Sequence, residues 1–372
     1  MSNFRALIGH PLRLAVLLLV LCSSLPLIAA PRQVAAQDDA AIAELTTPQL
    51  VEQVLPGVVQ IMAYTPVDEG ESQSYSIGSG FVLDAEGHVI TNWHVVTGSE
   101  LYYVTYSNGT YTEAELVGLD ARDDIAVLKV DPDTIPLVLP LGDSDAVLPG
   151  EKVVAIGSPS GITNTITEGI ASGAGRTGAE PGLYLQGLCQ NYNNLIQHSA
   201  AINQGNSGGP LFNMKGEVIG INTISILDDS GADLAGIYYA VPSNTIAKRA
   251  ADLIDDGELS LPVLGIQAFP ITIPDAILSD LPISGGVLVE DVAPDSPADR
   301  AGIAKGDVIL AIDDRDILKD DTLSELLFPY DPGDTITITY LTPGEDGEQT
   351  VDVRLAAWDQ DDIESCEEGS EE

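Results

Sequence analysis

A long series of short β-branched segments is the feature that most constrains the fold of this chain. Between Gly78 and Pro242 the segments GFVLD, HVIT, LYYVTY, IAVLKV, KVVAIG, EVIGINTI and IYYAV follow one another, separated by turn residues. Many short strands at such spacing are typical of a sandwich or of barrels. Glycine is abundant, with 36 residues, and aromatic residues make up only 5%. The sequence therefore predicts a mainly β fold with many turns.

The hydrophobic period changes at residues 243–257, SNTIAKRAADLIDDG. Apolar residues recur there at helical spacing, Ser243 or Asn244 is placed to cap a helix, and Gly257 is placed to end it. A second β-rich unit begins near Val263 and includes the alternating strand DTITITYL. A length of 372 residues also fits two domains better than one.

The N-terminus has the pattern of an export signal. Arg5 and Arg13 precede the apolar run LAVLLLVL, and the small residues VAA offer a cleavage site before Gln37. Residues 1–36 are therefore predicted to be a signal peptide, which implies an extracytoplasmic location. A retained membrane anchor and a lipoprotein at Cys22 stay open as alternatives, although the apolar core is short for a span of roughly 20 residues.

Two other segments are expected to be flexible or disordered. Residues 37–50 are predicted to be a flexible lead-in. The acidic tail at 358–372 has no basic residue and almost nothing apolar, which is typical of disorder. Once the signal is removed, Cys189 and Cys366 remain. They pair in an oxidising compartment or stay as two free thiols, and the sequence leaves both possibilities open.

The charge of the chain excludes some classes of function. The formal net charge is −42, so phosphate backbones and anionic lipid surfaces repel the protein, and nucleic-acid binding is not expected. The sequence contains no CxxC or HExxH spacing, so no metal site is predicted. No cofactor is predicted either.

The segment QGNSGGPLFN places Ser207 among three glycines, Gly205, Gly208 and Gly209. Glycine loses more backbone entropy on folding than any other residue, so this crowding indicates a backbone shape that other residues resist. A tight turn is one interpretation of the segment. The alternative is a serine nucleophile, which needs a histidine base and a carboxylate that orients the base.

The sequence has four histidines that could serve as this base. His10 lies in the predicted signal, His88 is expected to be solvated at a hairpin edge, and His198 is expected to lie on a strand in a surface or packing role. His94, in TNWHVV, lies where a strand meets a short turn. His94 is therefore the candidate base.

The carboxylate partner is sought in DARDDIAVLKV. Asp124 directly precedes an apolar strand and can be partly buried, whereas Asp123 should point the other way because side chains alternate. The chain order is then His94, Asp124, Ser207. This is the order of chymotrypsin-like proteases, whose catalytic triad spans two β-barrels.

With these motifs in place, the chain resembles the HtrA/Deg family of trypsin-like serine proteases that carry a PDZ domain. The stretches that carry the resemblance include VEQVLPGVVQI, GSGFVLDAEGHVITNWHVV, DDIAVLKV, VAIGSPSG, AAINQGNSGGPLFN, YAVPSNTI and SPADRAGIAKGDVILAIDD, and they span nearly all of residues 51–315. The resemblance implies a chymotrypsin-like double β-barrel over 51–257 and a PDZ domain over 262–357. It also implies His94 as general base, Asp124 as its orienting partner and Ser207 as nucleophile.

The resemblance extends to the groups around the nucleophile. The backbone N–H groups of Gly205 and Ser207 are expected to form the oxyanion hole. Asn206 is neutral where digestive relatives carry an aspartate that pairs with a new N-terminus, so activation by N-terminal processing is not expected. Apolar residues are expected to line the primary specificity pocket, which should accept small or medium aliphatic side chains. These pocket residues are Ala201, Ile202, Ile224 and Ile226.

The PDZ domain of the family implies peptide recognition. The N–H groups of Leu264, Gly265 and Ile266 are expected to hold the terminal carboxylate of C-terminal peptides. The chain departs from the family pattern at Val263, where an aromatic residue often stands, and at His198-Ser199, where Thr-Asp is usual. The loop between Gly175 and Leu195 is also somewhat long.

The function implied by the resemblance is that of an endoprotease for unfolded or damaged proteins, assembled as a homotrimer. Two alternatives stay open. One is a regulatory protease that cuts a specific membrane-bound substrate, and the other is a peptide-binding or chaperone-like protein.

Overall fold

The fold was determined from a computed structural model of the chain. It describes residues 44–65, 74–157, 165–176, 194–203, 205–227, 233–257, 259–271, 285–317, 323–344 and 347–358. The predicted signal peptide, both Cys189 and Cys366, and the tail beyond Trp358 lie outside these residues. Within the described ranges, no helix is long and apolar enough to cross a membrane.

Six antiparallel strands form the first closed barrel, in the order β1-β2-β3-β6-β5-β4. Helix α1 (Thr47–Val54) precedes the barrel, and the short helix α2 (Trp93–Val96) follows its third strand. The strands are β1 (Val58–Thr65), β2 (Ser74–Val82), β3 (His88–Thr91), β4 (Leu101–Tyr106), β5 (Tyr111–Asp120) and β6 (Ile125–Lys129).

Six further strands form a second closed barrel, in the order β10-β11-β12-β9-β8-β7. They are β7 (Lys152–Gly157), β8 (Thr165–Arg176), β9 (Leu195–His198), β10 (Pro210–Phe212), β11 (Val218–Leu227) and β12 (Asp233–Pro242). Together the two barrels confirm the predicted chymotrypsin-like double β-barrel. They also explain the many short apolar segments, because each strand crosses its barrel once before a turn.

Residues of the first barrel face two different cores. In β6, Ala126 and Leu128 point into the interior of the barrel, whereas Ile125 and Val127 join a larger core that both barrels share. A strand that is buried on both faces reads as a continuous apolar run, which is what the sequence shows here. Leu50 of α1 is fully buried in the same shared core.

Helix α3 (Ser243–Asp256) follows the second barrel and ends at Gly257, which has the left-handed φ of 75° that its position as a cap predicts. The predicted start of the helix is wrong in one respect. Pro242 occupies the N-cap position, and the hydroxyl of Ser243 donates to the carbonyl oxygen of Gly142 at 2.7 Å instead of capping the helix. The helix packs on β5 at Gly118, where an added Cβ would lie 2.9 Å from Leu253 Cδ2.

A second unit, with its own core, contains a six-stranded sheet in the order β14-β15-β16-β18-β19, with β17 paired to β16. Strand β14 is therefore an edge strand. The elements are β13 (Leu261–Val263), β14 (Ile266–Pro270), β15 (Val287–Val292), α4 (Pro297–Ala301), β16 (Val308–Ile312), β17 (Arg315–Asp316), α5 (Leu323–Leu327), β18 (Thr335–Leu341), β19 (Gln349–Arg354) and β20 (Ala356–Trp358). Strands β13 and β20 pair separately.

The segments next to the two units are more ordered than their composition indicates. Helix α1 starts inside the predicted lead-in of 37–50, because Thr46 and Gln49 form a reciprocal capping box. Between the two units, Leu259 and Leu261 are buried in the core that the barrels share.

Candidate active site

His94 and Asp124 form a tightly bonded pair on the first barrel. His94 lies in α2, just after β3, and its Nδ1 is 2.8 Å from Oδ2 and 3.0 Å from Oδ1 of Asp124. The backbone N–H of His94 also donates to Oδ1 at 3.1 Å. A carboxylate only accepts hydrogen bonds, so Nδ1 carries the proton and Nε2 is the nitrogen left to act as a base.

Asp124 is held in an unusual backbone conformation. Its φ of 55° lies in the left-handed region, which residues other than glycine seldom adopt. Asn92 donates its amide to the carbonyl oxygen of Asp124 at 2.8 Å, and the hydroxyl of Thr223 donates to Oδ2 of the side chain. Thr223 belongs to β11, so the second barrel also holds the carboxylate of the first.

The protonation of His94 follows from these surroundings. Burial acts to lower the pKa of His94, but the charge of Asp124 and its hydrogen bond outweigh that effect, so the pKa is raised above its usual value. The side chain of Asp124 is fully buried, whereas that of His94 is 33% exposed. Solvent therefore reaches one edge of the His94 ring, whereas the carboxylate of Asp124 is shielded from it.

Ser207 lies in the turn before β10, at the junction of the two barrels. Its hydroxyl donates to the carbonyl oxygen of Thr223 at 3.4 Å, and it makes no hydrogen bond with His94 in the described part of the chain. Thr223 therefore contacts two of the three candidate triad residues, Asp124 through its hydroxyl and Ser207 through its carbonyl. The structure brings the three together at one junction with the serine turned toward Thr223.

The turn that carries Ser207 requires glycine at two positions. Gly205 and Gly208 have φ of 98° and 81°. An added Cβ on Gly208 would also lie 2.2 Å from the carbonyl oxygen of Ser79, which no real contact allows. Ser79 ties this turn to β2: its N–H donates to the Ser207 carbonyl at 2.8 Å, and its hydroxyl donates to the Gly205 carbonyl at 2.6 Å. Neither Ser79 nor Thr223 was predicted from the sequence, although they lie in the motifs GSGFVLD and EVIGINTI.

Asn206 belongs to this turn, directly before Ser207, and it is 1% exposed. Within the described residues, neither the oxygen nor the nitrogen of its amide has a hydrogen-bond partner. A buried polar group without a partner is costly, so the position holds a neutral side chain at some expense in stability. An ionised aspartate would be costlier still in this setting.

Only part of the predicted specificity pocket can be located. Ile202 is buried in the interior of the second barrel, and Ala201 packs against the same cluster. Ile224 and Ile226 lie on β11, but their side chains lie outside the described part of the structure. The composition of the pocket stays a prediction.

The predicted peptide-binding loop of the second unit is well defined. Leu264 is buried, and the carbonyl oxygens of Leu264 and Gly265 accept from the N–H groups of Ala298 and Ala293 at 3.0 and 2.9 Å. Gly265 has φ of 73°, and a Cβ there would lie 2.4 Å from Cβ of Ser296. Ile266 then begins the edge strand β14.

The other two described histidines lie elsewhere. The expectation that His88 is solvated is wrong: it is 8% exposed, its Nδ1 is 2.6 Å from Asp84, and its Nε2 is 3.2 Å from Lys129 Nζ. His198 is fully buried, which fits the packing role, and the backbone of Ala200 lies next to its ring as a hydrogen-bonding group. Burial lowers the pKa of His198 to about 4.

Asp123 pairs with a different group from Asp124: its Oδ2 accepts from Nε of Arg249 at 2.8 Å. Both aspartates lie in the turn between β5 and β6, so the turn and the left-handed φ of Asp124 separate them, and the predicted strand alternation does not apply. Among the described residues, no group of three or more histidine, cysteine or acidic side chains is arranged to hold a metal ion.

Comparisons with known proteins identify the two domains. The family model for a trypsin-like peptidase domain matches residues 78–221, and that for a PDZ domain matches residues 262–355. The chain is 39% identical over 295 residues to a probable periplasmic serine endoprotease, DegP-like, of Halomonas elongata, which covers 78% of this chain and 59% of that protein. It is 41% identical over 245 residues to the putative serine protease HhoB of Synechocystis sp., over 63% of this chain and 56% of that protein.

The chain thus spans less than two thirds of the length of these curated relatives. A solved structure of the HtrA-type protease AlgW with a decapeptide is similar to this fold at a TM-score of 0.68 and 31% identity, over 85% of this chain and 99% of that chain. The peptidase-domain model spans the part of the chain that holds His94, Asp124 and Ser207, and the PDZ model spans most of the second unit. The chain belongs to the HtrA/Deg family of trypsin-like serine proteases that carry a PDZ domain.

Proposed function

We propose that the protein is an extracytoplasmic serine endoprotease that cleaves unfolded or damaged proteins through His94, Asp124 and Ser207. The observation that carries this proposal is the geometry of the barrel junction. A buried carboxylate fixes the Nδ1 proton of His94, and a serine on a glycine-rich turn shares Thr223 with that carboxylate.

The proposed reaction needs one change in the resting site. The Ser207 side chain turns from the Thr223 carbonyl toward Nε2 of His94, which takes the hydroxyl proton as Oγ attacks the peptide carbonyl carbon. The N–H groups of Gly205 and Ser207 stabilise the oxyanion, and each such donor typically lowers the barrier by ~3 kcal/mol. Nε2 then gives its proton to the leaving amine, the C–N bond breaks, and a water activated by His94 hydrolyses the acyl-enzyme.

The pH dependence of this reaction has a defined direction. His94 must be neutral to act as a base, and Asp124 raises the pKa of His94 above its usual value. The kcat/KM should therefore increase as the pH rises through that pKa, and the acidic limb should be shifted to higher pH than the ordinary histidine pKa would give.

The proposed substrates follow from the pocket and from the relatives. Ala201 and Ile202 are apolar, so cleavage after small or medium aliphatic residues is expected, with broad preference because one methylene changes selection by only ~1–3 kcal/mol. The Halomonas elongata relative is named a periplasmic endoprotease. That name, with the signal pattern at residues 1–36, supports an extracytoplasmic location for this chain.

The second unit is proposed to bind C-terminal peptides. Edge strand β14 can accept an added strand, and the adjoining Leu264, Gly265 and Ile266 supply the N–H groups that would meet a terminal carboxylate. Assembly as a homotrimer is proposed on family grounds. Amidating the peptide terminus should weaken its binding in calorimetry, whereas equal affinity for the free and amidated peptides would contradict carboxylate capture.

Casein digestion by the wild type and by Ser207→Ala tests the proposed activity. The wild type should cut casein and react with a fluorophosphonate probe, and Ser207→Ala should do neither while keeping its fold. Mapping of the cleavage sites should show Val, Ile, Ala or Leu before the cut. Persistent cutting by Ser207→Ala would refute the nucleophile, and cutting mainly after Lys or Arg would refute the pocket. Binding of unfolded casein without cleavage by the wild type would favour the chaperone-like alternative.

A further inference from the structure

A cluster of buried charges lies on the turn that leads into Asp124. The side chains of Asp120 and Asp123 are 1% and 7% exposed, and that of Arg249 on α3 is 7% exposed. Nε of Arg249 lies 2.8 Å from Oδ2 of Asp123 and 3.3 Å from Oδ2 of Asp120. The half-buried Arg122 is a second cation in the field of both carboxylates.

The same cluster shapes the turn. Oδ1 of Asp120 accepts from the N–H groups of Arg122 and Asp123 at 2.9 and 3.1 Å. These bonds close the loop immediately before Asp124, whose φ of 55° is strained for a residue with a side chain. Such strain persists only where the surroundings determine the backbone, and here the surroundings include the pair of Asp123 and Arg249.

The second unit covers the outer side of the cluster. The Phe328 ring centroid lies 5.0 Å from Cζ of Arg249 and 5.2 Å from Nζ of Lys248. Lys248 also donates to the carbonyl oxygen of Phe328 at 2.7 Å and lies 3.8 Å from Asp331. The Arg249 guanidinium is therefore placed between the Asp124 turn and an aromatic face of the PDZ unit.

Stability alone does not account for this arrangement. Replacing a buried ion pair by apolar or neutral groups of similar volume is often neutral or stabilising, because the pair must first lose its hydration. The cluster is set apart by its position, one residue from the carboxylate that orients His94.

We propose that Arg249 is a positioning residue for the catalytic triad: clamped between Phe328 and Asp123, it holds the 120–124 turn so that Asp124 meets His94. This inference rests on the proposed role of Asp124. In this proposal, the contact between Arg249 and the PDZ unit affects the orientation of His94, in addition to the role of the PDZ unit in recruiting substrate.

The test uses the full-length protein with Arg249→Met and Asp123→Asn combined. This double variant removes one positive and one negative charge, so the long-range field at His94 changes little. Among the described groups, Asp124 is the charged group that acts on His94. The control is Lys152→Met with Glu168→Gln, which also removes one charge of each sign, from an exposed pair between β7 and β8.

Two readouts are compared. On a peptide substrate, the double variant should lose about tenfold in kcat with KM unchanged, because the lost interaction orients the base and not the substrate. In a Ser207→Ala background, an NMR titration of His94 should show its pKa falling toward the ordinary histidine value. The control should match its parent in both readouts.

A double variant with the parental kcat and the parental His94 titration would overturn the proposal. If it does not fold, Phe328→Leu keeps the apolar volume but removes the aromatic face, and the same two readouts should shift in the same direction to a smaller extent; no shift there overturns the proposal equally. If the wild type has no peptidase activity, the proposed function fails, and the NMR titration still decides the positioning role.

Discussion

His94 and Asp124, on the first barrel, are joined by contacts of 2.8 and 3.0 Å, whereas Ser207, on the second, donates to the Thr223 carbonyl oxygen at 3.4 Å. Asn92 and Thr223 both donate to Asp124, and these bonds hold the carboxylate against His94. The serine is linked to the base through Thr223 and through the turn that Ser79 holds.

Both barrels contain buried polar atoms that have no hydrogen-bond partner among the described residues. They include Oδ1 of Asn92 in the first barrel and both amide atoms of Asn206 in the second, whereas the buried carboxylate of Asp123 is paired with Arg249. Unpaired buried groups reduce stability, and strained or loosely satisfied regions are where functional change concentrates. The clearer difference between the barrels is therefore in the site itself: Asp124 bonds directly to His94, whereas Ser207 is held through Thr223 and through the turn that Ser79 anchors.

The two adjacent aspartates give the largest expected contrast. Asp124→Asn should lower kcat by about 10⁴-fold, because the amide leaves His94 in the wrong tautomer. Asp123→Asn should cost tenfold or less, since Asp123 acts only on the turn. Steady-state kinetics on a peptide substrate measures both. The reverse ranking would show that Asp123 is the carboxylate of the triad.

Removal of the Ser79 hydroxyl should give the next largest effect. Ser79→Ala leaves the Gly205 carbonyl oxygen without its 2.6 Å donor, and an unsatisfied buried acceptor costs roughly 1–3 kcal/mol. Because this carbonyl belongs to the serine turn, kcat should fall about tenfold or more while the His94 titration stays unchanged. Thr47→Ala is the control, because it also removes a hydroxyl that bonds another strand, at Glu168 of β8 instead of at the serine turn. A wild-type kcat in Ser79→Ala would show that the turn needs no anchor from the first barrel.

His198 should make the protein sensitive to acid. Its pKa is lowered to about 4 in the folded state, below the unfolded value, so its contribution to stability is present above about pH 6.5 and is lost as the pH falls toward 4. The full loss is about 3 kcal/mol. His198→Phe should remove this dependence in urea unfolding measured between pH 4 and 7. An unchanged pH dependence would mean that His198 binds protons equally in both states.

Asp120, on the first barrel, should act with the opposite sign. Burial raises its pKa to about 7, with a further contribution from the Asp123 charge that Arg249 partly offsets. Its contribution to stability is present below about pH 4 and is lost as the pH rises through 7. Asp120→Asn keeps the acceptor for the turn and should flatten the decline in stability toward neutral pH, again by urea unfolding. A steeper decline in the variant would contradict the raised pKa.

The sequence predicts the fold class and the family because local signals agree with the global structure. Neighbouring residues determine several of these elements: the short β-branched runs, the left-handed glycine Gly257 and the strand that follows Asp124. The roles of Thr223, Ser79 and Arg249 were not predicted, because each acts across 99 to 126 residues of chain and nothing in its neighbourhood marks its partner. The start of α3 was mispredicted for the same reason, since Ser243 bonds to Gly142, far along the chain.

The most direct test of the difference between the two halves is an NMR titration of the His94 ring in the wild type and in Ser207→Ala. If the pair of His94 and Asp124 forms without help from the serine, the raised pKa of His94 and its Nδ1 proton signal should be the same in both proteins. A pKa or a signal that changes when the Ser207 hydroxyl is removed would show that the serine already bonds to His94 at rest, and would contradict the account.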